Sequence, residues 1–166
     1  MDVKGSHTYA APIESLLTMF RDEKATAAKY EGMGHRDVEI LECEATDDTI
    51  RIVSNRVVDV DLPGFAKKVL KPTNTMRQTD EWRRSPEGRW DGTFAVEVHG
   101  APVKITGEMH LTPGDGTCTH DVTMDIAVKV PLVGGKIADW MAKNDVRKTL
   151  DAEFAAGDRW VAEHPS

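Results

Sequence analysis

Three short turns divide residues 75–126 into four runs that alternate apolar and polar side chains. The turns fall at residues 85–88, 99–102 and 113–116, and each contains glycine and proline. Strict alternation is typical of a strand with one buried face, and such turn residues reverse the chain between neighbouring strands. The region therefore predicts a four-stranded antiparallel meander with one apolar face, which constrains the fold more than any other feature of the sequence.

The turns also predict which residues pair across the meander. Across the second turn, the best match of the two runs places Phe94 opposite Gly107. Across the third turn, pairing Thr112 with Thr117 continues the same apolar face into the fourth strand. A slip of one residue would mix the two faces, so the alternation assigns each side chain to one side of the sheet.

The remaining residues predict a strand and helices before the meander and a long helix after it. Ahead of the meander, the predicted elements are a strand over residues 4–10, a helix starting at Pro12, a helix capped by Asp22, and strands over residues 38–44 and 50–60. Residues 135–161 lack proline and carry a helical apolar stripe, which shifts around the helix axis near Asn144. We expect this helix to be bent, or to use two faces, and to cover the apolar face of the meander.

This order of elements resembles the helix-grip fold of the START-like and Bet v 1-like superfamily (SRPBCC). In detail the chain resembles a small bacterial family within it, the domain of unknown function 2505. The resemblance is carried by Ala11-Pro12, Leu62-Pro63-Gly64, the strand around Trp82, residues 131–136 and residues 150–160. It implies an α+β fold in which a curved antiparallel sheet of about seven strands wraps around the long C-terminal helix. It also implies a cavity for a hydrophobic ligand, with residues 1–166 forming one START-like domain.

Composition and charge exclude several classes of function. No run approaches the roughly 18 apolar residues of a membrane-spanning helix, and residues 1–9 lack the apolar segment of a secretory signal, so we expect a cytoplasmic protein. Two cysteines are too few for a disulfide framework or a four-thiolate zinc site. A net charge of −7 argues against general nucleic-acid binding. We therefore predict no metal, no cofactor and no nucleic-acid partner.

Strand parity and the helical stripe select the side chains that would line a cavity. The apolar candidates are Met76, Trp82, Trp90, Phe94, Ile105, Gly107, Met109, Val122, Met124, Ile137, Trp140 and Met141. The polar candidates on the same face are Gln78, Asp80 and His120. Gly92 and Gly107 have no side chain on this face, which predicts a gap where a ligand can approach the backbone. The alternative is that the Phe94 ring itself occupies the space over Gly107.

Each polar candidate has two interpretations. His120 could offer a polar contact or an acid–base group to a ligand, or it could be a core histidine bonded to a backbone carbonyl. Gln78 and Asp80 need polar partners if they are buried. A hydrated cavity would accommodate them, and so would a strand edge that twists into solvent.

Three functions fit these features, and the first is favoured. The protein binds or carries a small hydrophobic molecule, such as a lipid, isoprenoid, sterol or polyketide. Alternatively, it is an enzyme of the cyclase or aromatase type with Asp80 or His120 as the acid–base group, or a protein-interaction module whose core is filled. The basic side chains between Lys67 and Arg89 also allow transient contact with a membrane surface.

Overall fold

The computed structural model describes residues 1–165, which form seven strands and four α-helices. The strands are β1 (Asp2–Tyr9), β2 (Arg36–Ala45), β3 (Thr49–Asp59), β4 (Thr73–Arg84), β5 (Trp90–Val98), β6 (Val103–Pro113) and β7 (Cys118–Val128). The helices are α1 (Ile13–Arg21), α2 (Glu23–Gly32), α3 (Gly134–Lys143) and α4 (Asp145–Glu163), with a short 3₁₀ helix at Gly64–Ala66.

The seven strands form one curved antiparallel sheet in the order β1-β7-β6-β5-β4-β3-β2. Strands β2 to β6 each lie beside the next strand in the chain, whereas β1 pairs with β7. Helix α4 packs against β1, α3 packs against β7, and α1 packs against β3 and β6. The predicted helix-grip fold, with two short helices after the first strand, is therefore confirmed.

The predicted pairing is correct across one turn of the meander and wrong by two residues across the next. The β5–β6 register is confirmed. Between β6 and β7, Thr112 pairs with Thr119 rather than with Thr117. The cause is the turn, which occupies residues 114–117 and in which the Gly114 N–H donates to the Thr117 carbonyl at 2.8 Å. Because strand side chains alternate with a period of two, this shift leaves every residue on its predicted face.

The two helices after β1 form where the sequence predicts them. Leu16, Leu17 and Phe20 lie buried on one face of α1. The Asp22 side chain caps α2 by accepting the Lys24 backbone N–H at 3.1 Å. A cap of this kind satisfies one of the N–H groups that a helix leaves unpaired at its start, so α2 begins directly after α1 ends.

The bend predicted near Asn144 is a one-residue interruption between α3 and α4. Asn144 has φ −122° and ψ −82°, outside the helical region, and its side-chain amide donates to the Trp140 carbonyl at 2.9 Å. At the other end of α3, a side chain on Gly134 would collide with the Val128 carbonyl of β7. The two helices therefore meet the sheet as separate units. None of the helices within residues 1–165 is long and apolar enough to cross a membrane.

Candidate functional site

One part of the space between sheet and helices is filled by large side chains, and we call it the filled region. Its members are Tyr9, Phe20, Trp82, Trp90, Leu111 and Phe154, all of which are buried. Phe20 of α1 stacks on Trp82 of β4 with ring centroids 5.7 Å apart. Burying an aromatic side chain removes a large apolar area from water, so this region supplies much of the stability of the fold.

Glycines make room for large side chains in the filled region and beside it. A side chain on Gly5, Gly92, Gly107 or Gly157 would collide with Leu150, Trp82, Phe94 or Tyr9, respectively. At Gly92, for example, an added Cβ would lie 2.7 Å from the Trp82 ring. The predicted gaps over Gly92 and Gly107 are therefore wrong, and the alternative in which the Phe94 ring occupies the space over Gly107 is confirmed. Strand parity gives the face of a side chain but not the direction in which an aromatic ring then folds.

A cavity lies next to the filled region, with about 110 Å³ that the centre of a water molecule can reach. Ten of the predicted candidates line it: Met76, Gln78, Phe94, Ile105, Met109, His120, Val122, Met124, Trp140 and Met141. The lining is mostly apolar and comes mainly from strands β3 to β7 together with α3 and α4. A concave apolar space with a few polar groups is the usual form of a small-molecule site.

Five predicted candidates lie outside the cavity lining. Trp82 and Trp90 belong to the filled region, and Gly107 is covered by the Phe94 ring. Ile137 is completely buried within the core. Asp80 is 7% exposed and lies beside Gln78, whose side chain lines the cavity in its place.

Other lining residues come from elements that the prediction did not assign to the cavity. They include Tyr30 of α2, Arg56 and Val58 of β3, Leu62 and Leu70 of the following loop, and Glu153 of α4. Arg56 shares its parity with the buried residues Ile50 and Ile52, so alternation in the predicted strand over residues 50–60 could have placed it inward. Tyr30 and Glu153 carry no such signal, because their positions depend on how α2 and α4 pack.

His120 faces the cavity from β7 and is 2% exposed. Neither of its ring nitrogens has a hydrogen-bond partner among residues 1–165, so the predicted alternative of a backbone carbonyl partner is not realised. Its surroundings are aromatic, with the rings of Phe154 and Trp82 at 5.5 and 5.9 Å. Burial lowers the pKa of His120 from 6.5 to about 4, so the ring is neutral at neutral pH. A neutral imidazole offers one donor and one acceptor.

Polar side chains border the cavity between α2, α4 and the strands β3 and β4. We call this group the polar cluster; it comprises Lys29, Tyr30, His35, Ser54, Arg56, Gln78, Asp80 and Glu153. Lys29 is 7% exposed and donates to the Glu153 carboxylate at 3.0 Å. Burial works against the charge on both groups, but the ion pair outweighs it, so the pKa of Lys29 is raised and that of Glu153 is lowered.

Arg56 connects the remaining members of the polar cluster. Its guanidinium donates to His35 Nδ1 at 2.9 Å and to the amide oxygen of Gln78, and it lies 4.0 Å from the centroid of the Tyr30 ring. The Gln78 amide in turn donates to Asp80 at 2.8 Å. Gln78 and Asp80 therefore find partners inside the molecule rather than at a solvated strand edge. Burial raises the pKa of Asp80 from 3.8 to about 6.

Comparison with known proteins adds a family to this description. Residues 4–161 match the profile of DUF2505, described as a protein of unknown function. An uncharacterised protein of Mycobacterium tuberculosis is 30% identical over 96 residues, which are 55% of this chain and 54% of the relative. The alignment therefore spans about half the length of that relative.

Solved structures show the same fold at low sequence identity. Ara h 8.0201 is 14% identical with a TM-score of 0.58, over 99% of both chains. Human STARD10 is 12% identical with a TM-score of 0.57, over 98% of this chain and 66% of that chain. What these two proteins share with this chain is the fold, which is START-like and Bet v 1-like. Because the family profile matches nearly the whole sequence, the chain belongs to the DUF2505 family.

Proposed function

We propose that the protein binds a small, predominantly hydrophobic molecule in the cavity between the sheet and the C-terminal helices. The observation that carries this proposal is His120, which is 2% exposed, faces an apolar cavity and has both ring nitrogens without a partner in residues 1–165. A buried polar group without a hydrogen bond lowers stability by about 1–3 kcal/mol. A ligand that carries one polar group would form a hydrogen bond with the His120 ring, while the apolar part of the ligand fills the cavity.

The residues that line the cavity favour a compact ligand, and their side chains can change shape to fit it. Five methionines line the cavity, and methionine adapts its shape more readily than other apolar side chains. They are Met33, Met76, Met109, Met124 and Met141. The volume of about 110 Å³ is close to that of an engineered apolar cavity of roughly 150 Å³ that accepts benzene. A single ring or a short chain therefore fits directly, and a longer chain requires these methionines to move.

The geometry supports binding better than acid–base catalysis. Asp80 does not line the cavity, so a bound molecule would meet the Gln78 amide instead of this carboxyl group. His120 has a lowered pKa of about 4 and so holds no imidazolium proton at neutral pH. The interaction-module hypothesis requires a filled core, whereas the space bordered by Val58 and Met124 is open.

The surroundings of the cavity also support transient contact with a membrane surface. Leu62 and Leu70 line the cavity from the loop between β3 and β4. The same loop carries three exposed lysines, Lys67, Lys68 and Lys71. Lysines near an anionic lipid surface each contribute about 1 kcal/mol of attraction. In this proposal, the loop would approach the membrane while ligand is exchanged.

A pair of tryptophan substitutions on β3 tests the proposal. Val58 is buried and lines the cavity, whereas the adjacent Val57 lies on the opposite face of the strand. We would titrate a panel of short fatty acids, alcohols, monoterpenes and aromatic compounds by calorimetry and measure melting temperatures. We expect a ligand to raise the melting temperature of wild type and of Val57→Trp, because a ligand at 100 times its Kd stabilises a protein by about 2.7 kcal/mol.

The matched variant should lose this response. Val58→Trp fills the cavity, and we expect it to stay folded and to bind none of the ligands that wild type binds. The proposal is wrong if no compound in the panel binds wild type, or if Val58→Trp binds as well as Val57→Trp does. If the proposal holds, mass spectrometry of small molecules released by denaturing the purified protein would identify the natural ligand.

A further inference from the structure

The Arg56 guanidinium is buried beside the cavity with neutral partners. Arg56 is 3% exposed and lines the cavity. Its Nε donates to His35 Nδ1 at 2.9 Å, one Nη donates to the Ser54 hydroxyl at 3.2 Å, and the other Nη donates to the Gln78 amide oxygen. A guanidinium has five N–H groups, so two of them, one on each Nη, are not used by these bonds.

No carboxylate oxygen lies within 4.0 Å of the Arg56 guanidinium in the part of the chain that the structure describes. Lys29, the other cation of the polar cluster, is paired with Glu153 at 3.0 Å. The acid that connects to Arg56 through hydrogen bonds is Asp80, and it lies beyond the amide of Gln78. The cluster thus places one cation at the cavity wall without an opposite charge in contact with it.

A buried cation of this kind is unfavourable unless an anion reaches it. Removing a charge from water costs more than hydrogen bonds to neutral groups return. Arginine forms its strongest hydrogen bonds with carboxylates and phosphates, because its planar N–H groups match two oxygens of either group. The smaller carboxylate suits a cavity of about 110 Å³ better. The open side of Arg56 is the cavity, so an anion can reach the two unused N–H groups from there.

We propose that the ligand is a compact monocarboxylic acid whose carboxylate binds Arg56 and whose apolar part lies against the methionines of the cavity. This inference rests on the proposed function and adds the chemical class of the ligand to it. Asp145 and Glu153 also line the cavity, and these acids disfavour a second anionic group on the ligand. The volume of about 110 Å³ favours a short chain or a single ring over a long acyl chain.

Three ligands of equal chain length test the inference in the wild-type protein. We would measure the binding of octanoate, octanol and octylamine by calorimetry at neutral pH. We expect octanoate to bind at least about tenfold more tightly than octanol, and octylamine to bind most weakly, because only the carboxylate pairs with the guanidinium. Phenylbutanoate and palmitate extend the series, and we expect the ring compound to bind more tightly than the long chain.

Two substitutions of arginine by glutamine then locate the effect. Arg56→Gln should weaken octanoate binding at least about tenfold and change octanol binding by less than about threefold. Arg77 is exposed on the outer face of β4 opposite Glu97, so Arg77→Gln is the matched control and should change neither affinity. If Arg56→Gln fails to fold, Arg56→Lys keeps the charge but loses the two-pronged geometry, and it should still reduce the preference for octanoate over octanol.

The possible results separate this inference from the proposed function. If octanol binds as tightly as octanoate and the Arg56 variants change neither affinity, the ligand-binding function stands and the carboxylate inference is wrong. If none of the five compounds and no member of the wider panel binds wild type, both are wrong. A tenfold preference for octanoate that Arg56→Gln abolishes and Arg77→Gln leaves intact establishes the inference.

Discussion

The filled region and the cavity use the same inner face of the sheet but differ in the size of the side chains that cover it. In the filled region, aromatic rings such as Trp82 fold over glycines and leave no space. Around the cavity, valines, leucines and methionines predominate, and several of them, including Val98 and Met76, are only half-buried. The comparison teaches that a strand glycine does not by itself leave space, because rings fold over Gly92 and Gly107 alike, and that the cavity lies where aliphatic side chains outnumber aromatic ones.

The largest expected difference is between two tryptophans. Trp90 lies in the filled region and is 1% exposed, whereas Trp140 of α3 lines the cavity and is half-buried. We expect Trp90→Ala to reduce the free energy of unfolding by about 3–5 kcal/mol and Trp140→Ala by less than about 2 kcal/mol. Urea unfolding followed by circular dichroism measures both. Equal losses would show that the two regions do not differ in packing.

A pH effect of intermediate size is expected where the two regions meet, at His120 and Asp80. Burial lowers the pKa of His120 from 6.5 to about 4 and raises that of Asp80 from 3.8 to about 6. His120 therefore contributes stability above pH 6.5 that is lost as the pH falls toward 4. Asp80 contributes stability below pH 3.8 that is lost as the pH rises through 6. Each shift corresponds to about 3 kcal/mol.

Two variants separate these opposing titrations. Between pH 6.5 and 4, His120→Leu should lose about 3 kcal/mol less stability than wild type, and Asp80→Asn should lose about 3 kcal/mol more. Urea unfolding at a series of pH values gives the three profiles, and groups that titrate in all three proteins cancel in the differences. Three parallel profiles would mean that neither side chain is as deeply desolvated as the structure indicates.

The smallest of these effects concerns the glycines. An added Cβ on Gly107 would collide with the Phe94 ring and lie 2.7 Å from the Thr123 carbonyl oxygen, whereas Gly135 on α3 has open space around it. Gly107→Ala should therefore destabilise the protein by about 1–3 kcal/mol. Gly135→Ala should be neutral or stabilise it by up to about 1 kcal/mol, because alanine favours helices. If Gly107→Ala leaves the free energy of unfolding unchanged, there is space above this residue, as the sequence predicted.

Of the fifteen candidate lining residues, ten line the cavity; alternation along single strands predicted eight of them, and the helical stripe predicted Trp140 and Met141. Alternation succeeds because the face of a side chain depends on local backbone geometry. The register between β6 and β7 was missed because the same four-residue turn lies one position further along the chain, which shifts the pairing by two residues without changing any face. Trp82 and Trp90 were placed on the correct face, but their rings lie in the filled region. That outcome depends on the helices that cover them, which parity does not describe.

The polar cluster was the least predictable part of the candidate site. Lys29 and Glu153 form their ion pair across 124 residues of sequence, so no local pattern connects them. Arg56 could have been assigned to the inner face, but its relation to Gln78 needed the β3–β4 register, which pairs Ser54 with Gln78. The residue that gives the ligand its proposed chemistry, Arg56, thus depends on the pairing of β3 with β4, whereas the ion pair beside it depends on the packing of α2 and α4.

The glycines beneath the aromatic rings tolerate substitution much less than the residues that border the cavity. A substitution at Gly92 or Gly157 must displace Trp82 or Tyr9, so these positions accept little variation without loss of the fold. Exchanges among the aliphatic residues that border the cavity, such as Val58 or Val98, alter its shape while the filled region stays packed. New ligand preferences can therefore be selected, or engineered, at a small cost in folding stability.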